Sequence, residues 1–210
     1  MDHKQRHKRL RLLISKLNKE RKNQAKKIDI LCNDLISGQR DFIRRLSAIS
    51  FAAHFCRSII GITDLGRLLS SAGSLIKDEI ADVTVTFFLR QADHCTLHMV
   101  ESDKPITLEK QRLENCFTAE LVDSICKSNR LCSLDDMFAV GLQGNLMELN
   151  KISAFTVPLG RLAQPLGFIL IYRSSENEFT ADELNKISAI TWGLSRAIQS
   201  CATLRSSQAT

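Results

Sequence analysis

Along the first third of the chain, apolar residues recur at intervals of three and four, the spacing of one face of a helix. The series runs Leu10, Leu13 and Leu17, lapses at Glu20 and Gln24, and resumes at Ile28. From there it continues through Leu31, Leu35, Phe42, Leu46, Ile49, Ala53, Cys56 and Ile60, with Gly38 at its one skipped position. No proline falls between Lys8 and Ile62, and Gly38 and Gly61 are the only glycines there. This is the seam spacing of a coiled coil. An isolated helix of such length has nowhere to hide the stripe, so the pattern predicts pairing, most simply with a second copy in a parallel homodimer.

Asp64 is placed to cap a second helix, Leu65 to Ile80, with Leu65, Leu68, Leu69, Ala72, Leu75, Ile76 and Ile80 on one face. The period then changes. Val83 to Leu89 alternates, with Thr84 and Thr86 opposite Val83, Val85 and Phe87, and a Gln91-Ala92-Asp93 turn leads to a second strand, Cys95 to Val100. The pair predicts an antiparallel hairpin. Ser102 to Leu108 is polar, contains Pro105 and reads as a loop; Glu109 to Lys127 has helical composition, with Leu113, Phe117, Leu121, Val122 and Ile125 in a stripe. Asn129 to Lys151 holds no long period, and it carries Gly141, Gly144 and the acidic pair Asp135-Asp136. Irregular stretches of this length inside a compact domain are often binding loops.

The segment from Ile152 to Cys201 is the most regular. Ser153 to Leu159 reads as a strand that Pro158 marks as ending or lying near an edge. Gly160 to Pro165 supplies a turn, and Leu166 to Tyr172 is apolar without alternation, which predicts a central strand covered on both faces. Thr180 with Glu183 forms a capping-box pattern, flanked by Phe179 and Leu184 where a hydrophobic staple pairs. The helix it starts runs to about Cys201, and the polar tail from Thr203 is expected to be loose.

Composition adds little until it is mapped. With 210 residues, 44% hydrophobic and 25% charged, the chain suits one medium domain and an appendage. The net charge of +6 is localised: residues 1–27 carry eleven Lys or Arg against Asp2 and Glu20, a balance of +9, and the other 183 residues sum to −3. A basic segment can contact nucleic acid or anionic lipid, or be the solvated flank of a coiled coil. Seven cysteines form an odd set with no CxxC pair, which reads as reduced thiols of a cytoplasmic protein without a signal peptide. The most apolar helix, Leu46 to Ile62, is interrupted by His54 and Arg57 and is too short to span a bilayer.

The predicted order is a long helix, a second helix, two strands, a helical and loop insertion, two strands and a terminal helix, an α+β arrangement. Together with Asp64-Leu65-Gly66-Arg67-Leu68-Leu69, Thr156-Val157-Pro158-Leu159, Leu166-Gly167-Phe168-Ile169 and Phe179-Thr180-Ala181-Asp182-Glu183-Leu184, that order resembles the GAF domain, a PAS-like sensory module. The resemblance covers roughly residues 62–202. It divides the chain into a basic N-terminal helix or coiled coil (1–61), a GAF-like domain (62–202) and a flexible tail (203–210). It also implies a central antiparallel sheet with the first and last helices on one face and a ligand pocket on the other, closed by the insertion. Phe88, His98, Arg112, Cys116, Phe117, Asp136 and Phe155 are the candidate pocket residues. The NKFDE signature of cyclic-nucleotide-binding members and the Cys-His pair of bilin-binding members are both absent.

Three cysteines, Cys116, Cys126 and Cys132, cluster in the insertion. Free-methionine-sulfoxide reductases are GAF enzymes that use cysteines in a comparable region. Here, however, Cys116 and Cys126 fall in one predicted helix, no glycine follows either, and Leu134 to Lys151 has no cysteine. Buried small hydrophobes are the commoner role of such residues. His94, Cys95 and His98 are close in sequence, but a strand sends Cys95 to the face opposite the histidines, short of the four converging ligands of a structural zinc site. Asp135 and Asp136 fit a helix cap or a cationic ligand. No P-loop, GxSxG, HExxH or dinucleotide-binding glycine pattern occurs. The expectation is therefore a non-catalytic, cytoplasmic sensory or regulatory module that binds a small molecule, with no cofactor or metal assigned. It would dimerise through its coiled coil and signal to a protein partner. A thiol reductase and an adaptor binding nucleic acid or membrane through residues 1–27 are the alternatives.

Overall fold

The computed structural model describes residues 3–91, 94–100, 116–161 and 164–208, with residues 94–100 described through their backbone. The first helix, α1 (His3–Ile59), is followed by α2 (Leu65–Glu79). Gly61, at φ 84°, occupies the left-handed region that breaks the helix between them. Asp64 caps α2 by accepting the Arg67 N–H at 2.8 Å. The chain divides into two units, Met1–Leu46 and Ser47–Thr210. The boundary lies well before the residue-61 division expected from sequence, because Phe51, Phe55 and Ile59 are buried in the core of the second unit.

Five strands form one antiparallel sheet in the order β2-β1-β5-β4-β3: β1 (Thr84–Gln91), β2 (His94–Val100), β3 (Cys132–Ser133), β4 (Ile152–Arg161) and β5 (Gln164–Ser174). β5 is central, and Phe168, Ile169, Leu170 and Ile171 are all fully buried, as its unbroken apolar run predicts. The turn between β4 and β5 is tighter than the Gly160 to Pro165 expectation, since Gly160 pairs with Pro165 and Arg161 with Gln164. Gly167 cannot be replaced by a larger residue without displacement. Its φ is 137°, and a Cβ there would stand 1.8 Å from the Phe88 carbonyl oxygen.

Between β2 and β4 lie α3 (Ala119–Ser128), α4 (Leu134–Ala139) and α5 (Leu146–Leu149). The expected helix from Glu109 to Lys127 is shorter on its described side: Thr118 is the N-cap, its hydroxyl accepting the Leu121 N–H, so Cys116 precedes α3. The terminal helix α6 (Ala181–Gln208) continues beyond the expected end near Cys201, because no glycine or proline follows to stop it. Thr203 therefore begins no loose tail; it lies within α6, and its hydroxyl donates to the Gln199 carbonyl.

Strand alternation gives the sheet two cores. On one face Val85, Phe87, Val157, Leu159, Ile169 and Ile171 pack against α2, α6 and the last turns of α1. On the other, Phe88, Phe168, Leu170 and Tyr172 pack against α3, α4 and α5. The buried positions of α1 are Phe51, Phe55 and Ile59, whereas the seam spacing ran through Ile49, Ala53 and Ile60. Ile49 and Phe51 lie about 200° apart on the helix, so Ile49 (65% exposed) and Ile60 (77%) remain outside the core.

The start of α6 is locked by Arg173. Its guanidinium is 3% exposed and makes a two-pronged contact with Glu183, Nη1 to Oε1 at 3.0 Å and Nη2 to Oε2 at 2.8 Å. It also donates to the Asn177, Glu178 and Ala81 carbonyls and lies 4.3 Å from the centre of the Phe179 ring. Glu183 closes the capping box as well, accepting the Thr180 N–H at 2.8 Å while Thr180 Oγ1 accepts the Glu183 N–H. Burial alone would raise the Glu183 carboxyl, but the hydrogen bonds from Arg173 and Thr180 hold it below its ordinary value of 4.5.

A folded-state value below the unfolded one stabilises the protein above about pH 4.5, and that contribution is lost as pH falls through the folded value. Glu183→Gln should therefore cost about 2 to 3 kcal/mol near neutrality, discounted for the partial exposure of the carboxylate. In denaturant titrations across pH, the gap from the unsubstituted protein should close below about pH 4.5; a gap independent of pH would contradict this role.

Candidate functional site

The face of the sheet covered by α3, α4 and α5 is built from alternate strand residues. β1 contributes Thr84, Thr86 and Phe88; β5 contributes Phe168, Leu170 and Tyr172; β4 contributes Ile152, Ala154 and Thr156. Phe88 stacks on Phe168 with ring centres 4.6 Å apart and 19° between planes. Phe117, just ahead of α3, lies 5.0 Å from Phe88 and 5.9 Å from Phe168. Cys116 packs on this cluster, and the loop between α4 and α5 crosses it closely: a Cβ on Gly144 would stand 3.2 Å from the Cys116 sulfur.

Three of the expected residues, Phe88, Cys116 and Phe117, are thus brought together. Asp136 is instead the third residue of α4, where its carboxylate accepts the Ser133 N–H at 2.9 Å and the Ser133 hydroxyl proton at 2.8 Å. Those two hydrogen bonds, joined by Arg130 at 3.6 Å, hold the Asp136 carboxyl below its usual range against the opposing effect of burial. Its carboxylate is committed to capping α4. Phe155 requires a correction: it lies on the opposite face, with Val157 and Leu159, and meets Phe179 edge-on at 5.7 Å. The reason is the period of two along β4, which sends odd-numbered residues to the helical face. Arg112 lies outside the described residues. His98 is described through its backbone, which pairs with Phe87 rather than Phe88.

Two features went unnoticed in the sequence. Thr156 is fully buried opposite Cys132 and Leu170, and its Oγ1 meets no hydrogen-bond partner among the described residues. Thr84 Oγ1 shares that condition. The signal was present in the alternation: a threonine in phase with Ile152 and Ala154 must share their face. Nearby, Cys126 and Cys132 are 2% and 1% exposed, and the Cys132 thiol donates to the Arg130 carbonyl at 3.5 Å. The chemistry available on this face is an aromatic floor with unpaired hydroxyls and polarizable sulfur at its edge. A separate groove of about 670 Å³ opens on the helical side, lined by Leu65, Leu89, Leu166 and the last turns of α6.

No protein-family model matches the sequence, and no curated protein matches it. Solved structures do. The GAF domain of a phosphoenolpyruvate-protein phosphotransferase from Coxiella burnetii superimposes with a TM-score of 0.55 at 15% identity, covering 79% of this chain and 98% of that one. A free methionine-R-sulfoxide reductase from Neisseria meningitidis, bound to its substrate, gives 0.53 at 13% identity over 75% and 91% of the two chains. The GAF domain of the cyanobacteriochrome TePixJ gives 0.51 at 17% identity over 69% and 95%. The fold is that of the GAF domains, an α+β sheet with flanking helices and here a long N-terminal helix. Sensors and an enzyme share this fold, so fold alone does not choose between them.

An orphaned buried hydroxyl costs stability that an apolar isostere of the same shape avoids. Thr156→Val should stabilise the ligand-free protein by about 1 kcal/mol in chemical denaturation. A loss of stability instead would show that the hydroxyl is satisfied.

Proposed function

We propose that this chain is a non-catalytic sensory module. It binds a small molecule on the face formed by Phe88, Phe117, Phe168 and Thr156 and dimerises through α1 to signal to a protein partner. The observation that carries the proposal is the double use of α1: Phe51, Phe55 and Ile59 lie in the core shared with α2 and α6, while Leu35, Phe42, Leu46 and Ile49 are exposed. Neighbouring residues of one strand link the faces. Phe88 belongs to the aromatic cluster beneath α3, and Phe87, the next residue back, belongs to the core that holds α1. A ligand that repacks the aromatic cluster displaces β1 and β5 and thereby α2, α6 and the end of α1, to the extent that it binds the two packings unequally.

The thiol-reductase reading has less support, because two of its three cysteines, Cys126 and Cys132, are buried and only Cys116 is partly exposed, whereas a nucleophilic thiolate needs access to substrate.

Native mass spectrometry tests the proposal directly. It should report a dimer with a retained small molecule, and Leu35→Lys with Ile49→Lys should yield a folded monomer. A monomeric unsubstituted protein at micromolar concentration would remove the dimer from the mechanism.

A further inference from the structure

The apolar series of α1 lapses at Glu20 and Gln24, and a separate amphipathic stretch precedes the part that resumes at Ile28. Between Lys8 and Lys22, Leu10, Leu13, Ile14 and Leu17 share an arc of about 100° on the helix and are 53%, 57%, 55% and 62% exposed. Lys8, Arg11, Lys16, Lys19 and Lys22 occupy the opposite side, where Leu12 is the apolar exception, while Arg21, one turn past Leu17, falls on the apolar arc and reaches the headgroup level by its long stem. Glu20 and Gln24 separate this stretch from the seam that resumes at Ile28.

A second copy of the chain is a poor cover for it. Parallel pairing sets two segments of +9 side by side. Antiparallel pairing offers Ile28 to Ile59, where Arg40, Arg44, Arg45 and Arg57 outnumber Asp29, Asp34 and Asp41, so the charge is again unfavourable. A nucleic acid would neutralise the basic side but leave the apolar arc in water, and no aromatic residue precedes Phe42 to stack on bases. One surface satisfies both sides at once. The headgroups of an anionic bilayer attract Lys and Arg, and the acyl boundary takes up the leucine arc of a helix lying in the interface. Among the described residues no helix is long and apolar enough to cross a membrane; lying on one requires no such length.

We propose that Lys8 to Lys22 is a membrane-surface segment that seats on anionic lipid. The basic side provides attraction and the Leu10, Leu13, Ile14 and Leu17 arc provides insertion. Ile28 onward stays available for pairing, so the segment can bring a dimeric sensor to a charged membrane without altering its core.

Co-sedimentation of the full chain with phosphatidylcholine vesicles, with and without phosphatidylserine, tests this. Binding should require phosphatidylserine and weaken with added salt. Lys19→Gln with Lys22→Gln should weaken it about fivefold per charge removed, and Leu13→Gln with Leu17→Gln should weaken it more than about tenfold. Sedimentation velocity of the Lys19→Gln, Lys22→Gln variant should leave the oligomeric state unchanged, which separates loss of lipid binding from any failure of dimerisation. Absence of vesicle binding, equal binding to neutral vesicles, or duplex DNA binding that displaces vesicles and survives the leucine substitutions would each overturn the proposal.

Discussion

One buried guanidinium holds the domain closed. Arg173 is the penultimate residue of the central strand, and from there it reaches the carbonyls of the loop before α6, the carbonyl of Ala81 after α2, and the carboxylate that caps α6. A charge 3% exposed is tolerated only when every donor is used. Five hydrogen bonds and the Phe179 ring meet that condition. The consequence is positional: α2, β5 and α6 are fixed relative to one another at one end. At the other end, Ser195 Oγ accepts the Gly160 N–H at 2.9 Å, tying α6 to the β4–β5 turn.

With α6 fixed, the helical face becomes a seat for the end of α1. Gly193 lets the two helices approach closely, since a Cβ there would stand 2.5 Å from the Cys56 sulfur. Lys186 pairs with Glu79 and links α6 to the end of α2. The opposite face is built differently, from short helices, an aromatic cluster and two buried hydroxyls without a partner among the described residues. The two faces share single strands, so neighbouring residues such as Phe87 and Phe88 belong to different cores. Because both interiors are close-packed, a change on either face is passed as discrete repacking rather than absorbed.

Much of this was legible in the residues because local rules and tertiary outcome agree. Asp64 and Thr180 announced their caps, Leu166 to Tyr172 announced a central strand, and Thr156-Val157-Pro158-Leu159 announced its neighbour. The failures have physical causes. Apolar spacing on α1 identified one stripe, while the domain buries another, because a helix with two apolar faces gives no local sign of which one the core takes. Phe155 departs from its expected place because strand parity, not aromatic character, sets the face, and its odd position in β4 puts it with Val157 and Leu159. Thr156 was missed because a buried hydroxyl looks like an ordinary strand residue until its partners are counted. Asp136 resolved into a cap, the ordinary fate of an acidic residue in the first turn of a helix.

The central claim is that the last turns of α1 belong to the domain core and move with it. Native-state hydrogen exchange measures this by residue. Amides of Phe51 to Ile59 should open with the same free energy as those of Leu68 to Ile76 in α2 and Ile187 to Ile198 in α6, as one cooperative unit. If Phe51 to Ile59 exchange readily while α2 and α6 stay protected, α1 is only tethered to the domain and the proposed coupling of the sheet to the helix is contradicted.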